Sequence, residues 1–432
     1  MRFGSLATLV ALIGSSLLAA CGGGGGGSSS STAQVRLLNA SVGYSSLDYA
    51  ITSSSSKLNT GVAYAAAGSY GDINTGDTAS QVQANGTGTT LASLTPTLTG
   101  GKKYSIIAYG WSGALRTTLL EEEVEAPTAA GTAKLLVLNL AADAGSVDVY
   151  LTAAADSLDN ASPTASTVNG GASSGYVSLN SGTFRVRVTG AGNRNDVRLD
   201  IPAITLEALK VHSLVLTPTQ GGVLVNGIFM QQQGNPTNYA STIARARVVA
   251  AVGNNATVSA TTGAKTLLQS SVAPTIGDYQ ALTAGANGIN VTVNGVAMPV
   301  SNVNLAAGGD YTLMVYGDAA APQLINLSDD NRLPTTAGTA KMRLVNGLAT
   351  SAAGLTMTLD FSAIASNILP GATSSVLSVP ASTSSQLAVT SPIAADPVYS
   401  VTGLTVLQGG VYTVFVMGGG TTKPQGALRR ER

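Results

Sequence analysis

Ala133-Lys134-Leu135-Leu136-Val137-Leu138-Asn139 is a short apolar run entered from Gly131-Thr132. A run of this length, bounded by turn formers, reads as a strand. The chain writes it four times. Ala33-Gln34-Val35-Arg36-Leu37-Leu38-Asn39 comes first; Ala244-Arg245-Ala246-Arg247-Val248-Val249-Ala250 and Ala340-Lys341-Met342-Arg343-Leu344-Val345-Asn346 follow. The starts lie 100, 111 and 96 residues apart. That is the size of a small domain.

A closing strand recurs with it. Gly100-Gly101-Lys102-Lys103-Tyr104 leads into Ser105-Ile106-Ile107-Ala108-Tyr109. Gly308-Gly309-Asp310-Tyr311 and Gly409-Gly410-Val411-Tyr412 lead into similar runs, and Lys210-Val211-His212 opens a worn copy. A longer period also exists. Pro127-Thr128-Ala129-Ala130-Gly131-Thr132 returns as Pro334-Thr335-Thr336-Ala337-Gly338-Thr339, offset by 207, and Tyr104/Tyr311 share that offset. Units one and two therefore form one block, and units three and four its duplicate. Two stiff pairs are expected, joined by those proline-opened links. A hinge between the pairs is expected in residues 227–241, around Gln231-Gln232-Gln233-Gly234-Asn235-Pro236.

Composition agrees with an all-β chain. β-branched residues alternate with Gly, Ser and Asn turns, and no window sustains a 3.6-residue period. Hydrophobic residues make up 44%, enough for packed cores. The net charge is zero and charged residues are 10%, which argues against a nucleic-acid partner. The expected domains are β-sandwiches over 33–126, 127–238, 239–333 and 334–424, followed by a frayed tail over 425–432.

The N-terminus has a separate role. Arg2 gives a positive start, residues 6–18 are apolar, and Leu18-Ala19-Ala20-Cys21 follows. This reads as a signal peptide over 1–20 rather than a membrane span, which needs about 20 apolar residues. Leu-Ala-Ala-Cys resembles the bacterial lipobox, which implies lipidation of Cys21 by acyl chains such as palmitate. Cys21 is the only cysteine, so it has no disulfide partner. Gly22 rather than Asp after it resembles the outer-membrane sorting pattern of Gram-negative lipoproteins. Residues 21–32 then supply a Gly/Ser tether.

Unit two carries a recognisable stretch. Asn139-Leu140-Ala141-Ala142-Asp143-Ala144-Gly145-Ser146-Val147-Asp148-Val149-Tyr150, then Tyr176-Val177-Ser178-Leu179, Gly182-Thr183-Phe184-Arg185-Val186-Arg187-Val188 and Leu206-Glu207-Ala208, resemble domain of unknown function forty-three ninety-seven. The match is best over unit two; units three and four match mainly at their first and last strands. The resemblance implies tandem immunoglobulin-like β-sandwiches of secreted proteins and lipoproteins; it supplies fold and location rather than a mechanism.

Candidate chemistry is sparse. His212 is the only histidine, so neither a triad nor a zinc site is supported, and it stands where other units have Tyr. Gly171-Ala172-Ser173-Ser174-Gly175 fits the esterase G-x-S-x-G pattern, but in an all-β unit rather than between strand and helix. Asp72-Ile73-Asn74-Thr75-Gly76-Asp77 and Asp329-Asp330-Asn331 offer oxygen ligands too loosely for a full calcium loop. Glu121-Glu122-Glu123 with Glu125 reads as a solvated edge or linker. Trp111 is either a sugar-stacking platform or a packing anchor. No catalytic residues, metal or cofactor are expected. The expected function is that of a non-catalytic envelope lipoprotein: spacer, adhesin-like or binding modules, with the membrane as partner through Cys21 and an envelope or extracellular polymer or protein as a further partner. A carbohydrate- or polymer-binding lipoprotein using sandwich loops is the second reading, and a hydrolase the remote one.

Overall fold

The structure, a computed structural model, describes residues 31–54, 56–253, 255–349, 353–392, 394–420 and 423–432. The signal peptide, Cys21 and nearly all of the tether lie outside the described residues. The described chain is almost wholly β, with a single 3-10 turn at Ala142–Ala144. Among the described residues no helix is long and apolar enough to cross a membrane.

Eight sheets form four sandwiches. In unit one the opening strand Thr32–Ala40 lies between Gly71–Asn74 and the closing strand Lys103–Trp111, and Ala114–Glu121 forms the edge. The second sheet orders Lys57–Ala63, Ser46–Ile51, Ser80–Ala84 and Thr90–Leu94. The other units repeat this plan. In all four, opening and closing strands run parallel, as in Arg36↔Ser105, Leu136↔Ser213, Arg247↔Thr312 and Arg343↔Thr413.

Each opening strand is largely apolar and mostly buried because both of its faces are covered. Ala33, Val35 and Leu37 point into the core of unit one, with Leu47, Tyr49 and Ile106. Leu38 and Ala40 point the other way and meet Leu136, Leu138, Val215 and Ile228 of unit two. The second pair does the same: Val249, Ala251 and Met314 of unit three meet Val345, Phe415 and Met417 of unit four. Each fully buried aliphatic contributes about 1.5–3 kcal/mol, so these contacts stabilise each pair as well as each sandwich.

The two links take one conformation. Gly131 and Gly338 share a φ of 74°, which disfavours any residue with a Cβ. The following threonines close the turn: Thr132 Oγ1 donates to Ala129 O and Thr339 Oγ1 to Thr336 O.

Two expectations are corrected. Residues 425–432 are not a frayed tail. Gln425–Arg430 is the edge strand of unit four, paired with Val411–Gly418, and Glu431 is buried in an ion pair. The span around Gln231-Gln232-Gln233 is not a hinge. Gln232 exchanges hydrogen bonds with both the N–H and the C=O of Val124 (3.1 and 3.0 Å), and the Gln233 N–H donates to the Glu122 carboxylate. Thr237–Tyr239 then pairs as a further edge strand. A polar, turn-rich span looks loose in sequence; here its amides satisfy backbone groups of the neighbouring sandwich.

Candidate functional site

Three of the four opening strands place an arginine at their fourth position, facing the partner sandwich. Sequence periodicity gave no warning that these side chains are buried. Arg36 is 3% exposed. Its Nε donates to Ser105 Oγ (2.9 Å), its Nη2 to Glu122 Oε1 (2.7 Å), and its Nη1 to Gly234 O of unit two (2.9 Å). Tyr70 lies against the guanidinium, 4.6 Å from ring centroid to Cζ. Burial and the Glu122 charge raise the Tyr70 phenol well above its ordinary pKa.

The second pair repeats this set. Arg247 donates from Nε to Thr312 Oγ1 (2.9 Å) and lies 4.4 Å from the Tyr279 ring. Asp329 holds the place of Glu122 at the 207 offset, and it lies 3.8 Å from Arg247. Arg247 instead pairs with Glu431 of unit four (2.7 Å), and Arg343 of unit four pairs with Asp329 (2.5 Å). The two arginines thus exchange partners across the interface. Their positive charges hold the Asp329 carboxyl below the usual range despite complete burial. Asp310 pairs with Arg245 (2.6 Å), yet burial outweighs that charge and raises its pKa.

These contacts decide the fate of the sequence candidates. Glu122 is 1% exposed and ion-paired, which corrects its reading as part of a solvated edge; Glu121 pairs with Lys102 at the surface. Asp329 is held by Arg343, Asp330 by Arg332 and Lys341, and Asn331 donates to Asp310 (2.8 Å). The Asp329-Asp330-Asn331 oxygens are therefore taken, and calcium is not supported there. Asp72 accepts from Gln34, while Asn74 accepts from Gly76 N. Among the described residues no three His, Cys, Asp or Glu side chains converge as metal ligands. The motif serine, Ser173, lies on the strand Ala172–Asn180 opposite Leu138 rather than at a nucleophile elbow, and the neighbouring Ser174 accepts from Val137 N and donates to Gly175 O.

His212 has a backbone-anchoring position. The hydroxyls of Tyr104, Tyr311 and Tyr412 each accept the N–H of the residue five positions earlier (3.1, 2.9 and 3.0 Å). This resembles the tyrosine corner of immunoglobulin-type sandwiches. His212 Nε2 accepts the Glu207 N–H at 3.4 Å in the same way, and its ring stacks on Phe229 (5.4 Å). Burial lowers its pKa, so the neutral ring is favoured.

Trp111 ties the pairs together. Its Nε1 donates to Asp143 Oδ2 (2.6 Å) in the 3-10 turn of unit two. The other oxygen of Asp143 accepts Leu333 N (2.7 Å) from the second link, and Arg432 donates to the Asp143 carbonyl. Arg332 stacks 4.7 Å from the Trp111 ring. Beside this knot opens a cavity of about 290 Å³ lined by Trp111, Arg332, Pro334, Lys341 and Ser378 among others. No sequence signal joins these residues, because they come from three units.

Comparison with known proteins yields the following. None of the curated proteins matches the chain. Among solved structures it is similar to a candidate cell adhesion protein from Bacteroides uniformis at 11% identity, over 47% of this chain and 99% of that one, with a TM-score of 0.20. A candidate cell adhesion protein from Bacteroides ovatus is 15% identical over 45% of this chain and 95% of that one, with a TM-score of 0.21. The Bacillus anthracis TIE protein is 10% identical over 70% of this chain and 52% of that one, with a TM-score of 0.14. At such scores none of the three bears on function. A family model matches residues 33–150 and 244–353, the whole of units one and three and the opening strands of two and four, rather than unit two foremost. With more than half of its length matched in two tandem stretches, the chain belongs to the family described as Domain of unknown function (DUF4397).

Proposed function

We propose that this is a non-catalytic envelope lipoprotein, anchored in the outer membrane of a Gram-negative bacterium by acyl groups on Cys21, whose four sandwiches act as one stiff spacer that carries binding surfaces. The observation that carries the reading is that sandwich faces are buried within each pair, and that Asp143 ties the pairs to each other. A stiff body keeps its four modules at fixed spacing from one another, while a flexible Gly/Ser tether lets the whole sample a range of heights above the membrane. His212, Glu122, Asp329 and Asp330 all make structural bonds, which weighs against a hydrolase. A second reading, a carbohydrate- or polymer-binding lipoprotein, is favoured by the open cavity beside Trp111.

Two measurements test the first reading. Cys21→Ala should release the protein from the membrane fraction or leave an unprocessed precursor; a processed, membrane-bound variant removes the anchor. Limited proteolysis of the full chain should spare residues 231–234 and cut first in exposed loops such as 153–163. A nicked chain should stay together on a native gel. Early release of separate sandwiches would make the modules independent beads and end the spacer reading.

A further inference from the structure

The duplicated links carry opposite charge, and a groove opens beside the second. In the first, Lys134 Nζ donates to Glu125 O (2.7 Å); in the second, Lys341 Nζ donates to Arg332 O (2.9 Å) at the matching place. The 207 offset aligns Glu123 with Asp330 and Glu125 with Arg332. The first link thus carries two carboxylates and one lysine. The other sets two cations beside one carboxylate, so the sign is a property of its side chains and not of the scaffold.

The groove at the second link receives Trp111 from the Lys103–Trp111 strand end of unit one. Its cavity of about 290 Å³ is at the small end of the range for small-molecule sites. Trp111 and Pro334 give it apolar walls, and Ser112, Thr335 and Ser378 bring hydroxyls. Arg332 uses Nε and Nη2 on Asp330 and is 32% exposed, so the Nη1 edge of its fork is what it can offer to a ligand. An indole wall, convergent hydroxyls and an excess positive charge are the complement of a sugar ring that bears a carboxylate.

We propose that this cavity binds a carboxylated saccharide, a uronic-acid-type unit, with its carboxylate at Arg332 and its ring along Trp111. The inference rests on the second reading above, and its failure leaves the anchoring and proteolysis results untouched. Trp111 is the only tryptophan in the chain, so tryptophan emission reports on this cavity alone. The full chain is titrated with tetragalacturonate and, separately, with neutral maltotetraose. The expected result is a saturable emission change with the uronate only, with affinity at least tenfold weaker in Arg332→Gln. Arg332 also braces the link, so a second variant decides if that one misfolds: Ser378→Phe, at an exposed strand position, should fill the cavity and abolish the response. No saturable change with tetragalacturonate, an equal response to maltotetraose, or undiminished binding in the folded variants overturns the proposal.

Discussion

The two pairs share a scaffold and differ in how they are welded. In the first pair the arginine–carboxylate contact, Arg36 with Glu122, stays inside unit one. Unit two answers with Leu136 at the equivalent strand position, and with amides from Gln232 and Gln233. In the second pair the contact crosses the interface twice, Arg247 to Glu431 and Arg343 to Asp329. The difference shows that face-to-face packing of the opening and closing strands is the shared requirement. The polar chemistry laid over it can be apolar-and-amide or reciprocal-and-ionic.

The largest expected effect comes from breaking the ionic weld. Asp329→Ala leaves Arg343 buried without its carboxylate and should cost the second pair about 3–5 kcal/mol, read as a lower urea midpoint. Adding Arg343→Leu, which copies Leu136 of the first pair, should recover at least half of that loss. A loss below about 1 kcal/mol in Asp329→Ala would mean that the crossed ion pairs are incidental.

The apolar weld comes next. Ile228 is fully buried between units one and two. Ile228→Ala should cost about 2–4 kcal/mol and lower the unfolding transition of the first pair, leaving that of the second in place. Equal loss in both transitions would show that the pairs unfold as one body, coupled through the Asp143 knot.

Acid should separate the pairs more gently. Arg332 and Lys341 hold the Asp330 carboxyl at about 2, below its ordinary 3.8. A carboxylate with a lowered folded pKa adds stability above its unfolded pKa and loses it as pH falls through the folded one. The contribution at the second link is therefore present above pH 4 and lost between about 4 and 2, on the order of 2 kcal/mol. Unfolding midpoints measured across that window should fall, and Asp330→Asn should flatten this part of the slope. No change in slope would remove the carboxylate from the link's stability.

The smallest effect concerns His212. His212→Tyr restores the corner residue of the other three units and should shift stability by less than about 1 kcal/mol, in the stabilising direction. A large loss would mean that the imidazole has a role no tyrosine can fill.

The fourfold repeat, the 207-residue duplication and the strand character of Ala133-Lys134-Leu135-Leu136-Val137-Leu138-Asn139 were legible from residue order alone. Strand burial and turns are written in local periodicity, and a duplicated gene keeps its register. That both faces of that run are buried, the second against the neighbouring sandwich, came only from the structure. Only the tertiary structure decided that the fourth-position arginines are buried and that Glu122, Glu431 and Asp329 are their partners. It alone turned Gln231-Gln232-Gln233 into a brace, the last eight residues into an edge strand and an ion pair, and His212 into a corner. It also brought Trp111, Asp143, Arg332 and Lys341 to one place. The reason is physical. Charge and amide groups look solvated in sequence unless a partner removes their water, and here each partner lies in another part of the chain, 86 residues away for Arg36 and Glu122 and 184 for Arg247 and Glu431. Distance along the chain carries no record of such meetings; they exist only once the sandwiches have folded and their outer faces have met.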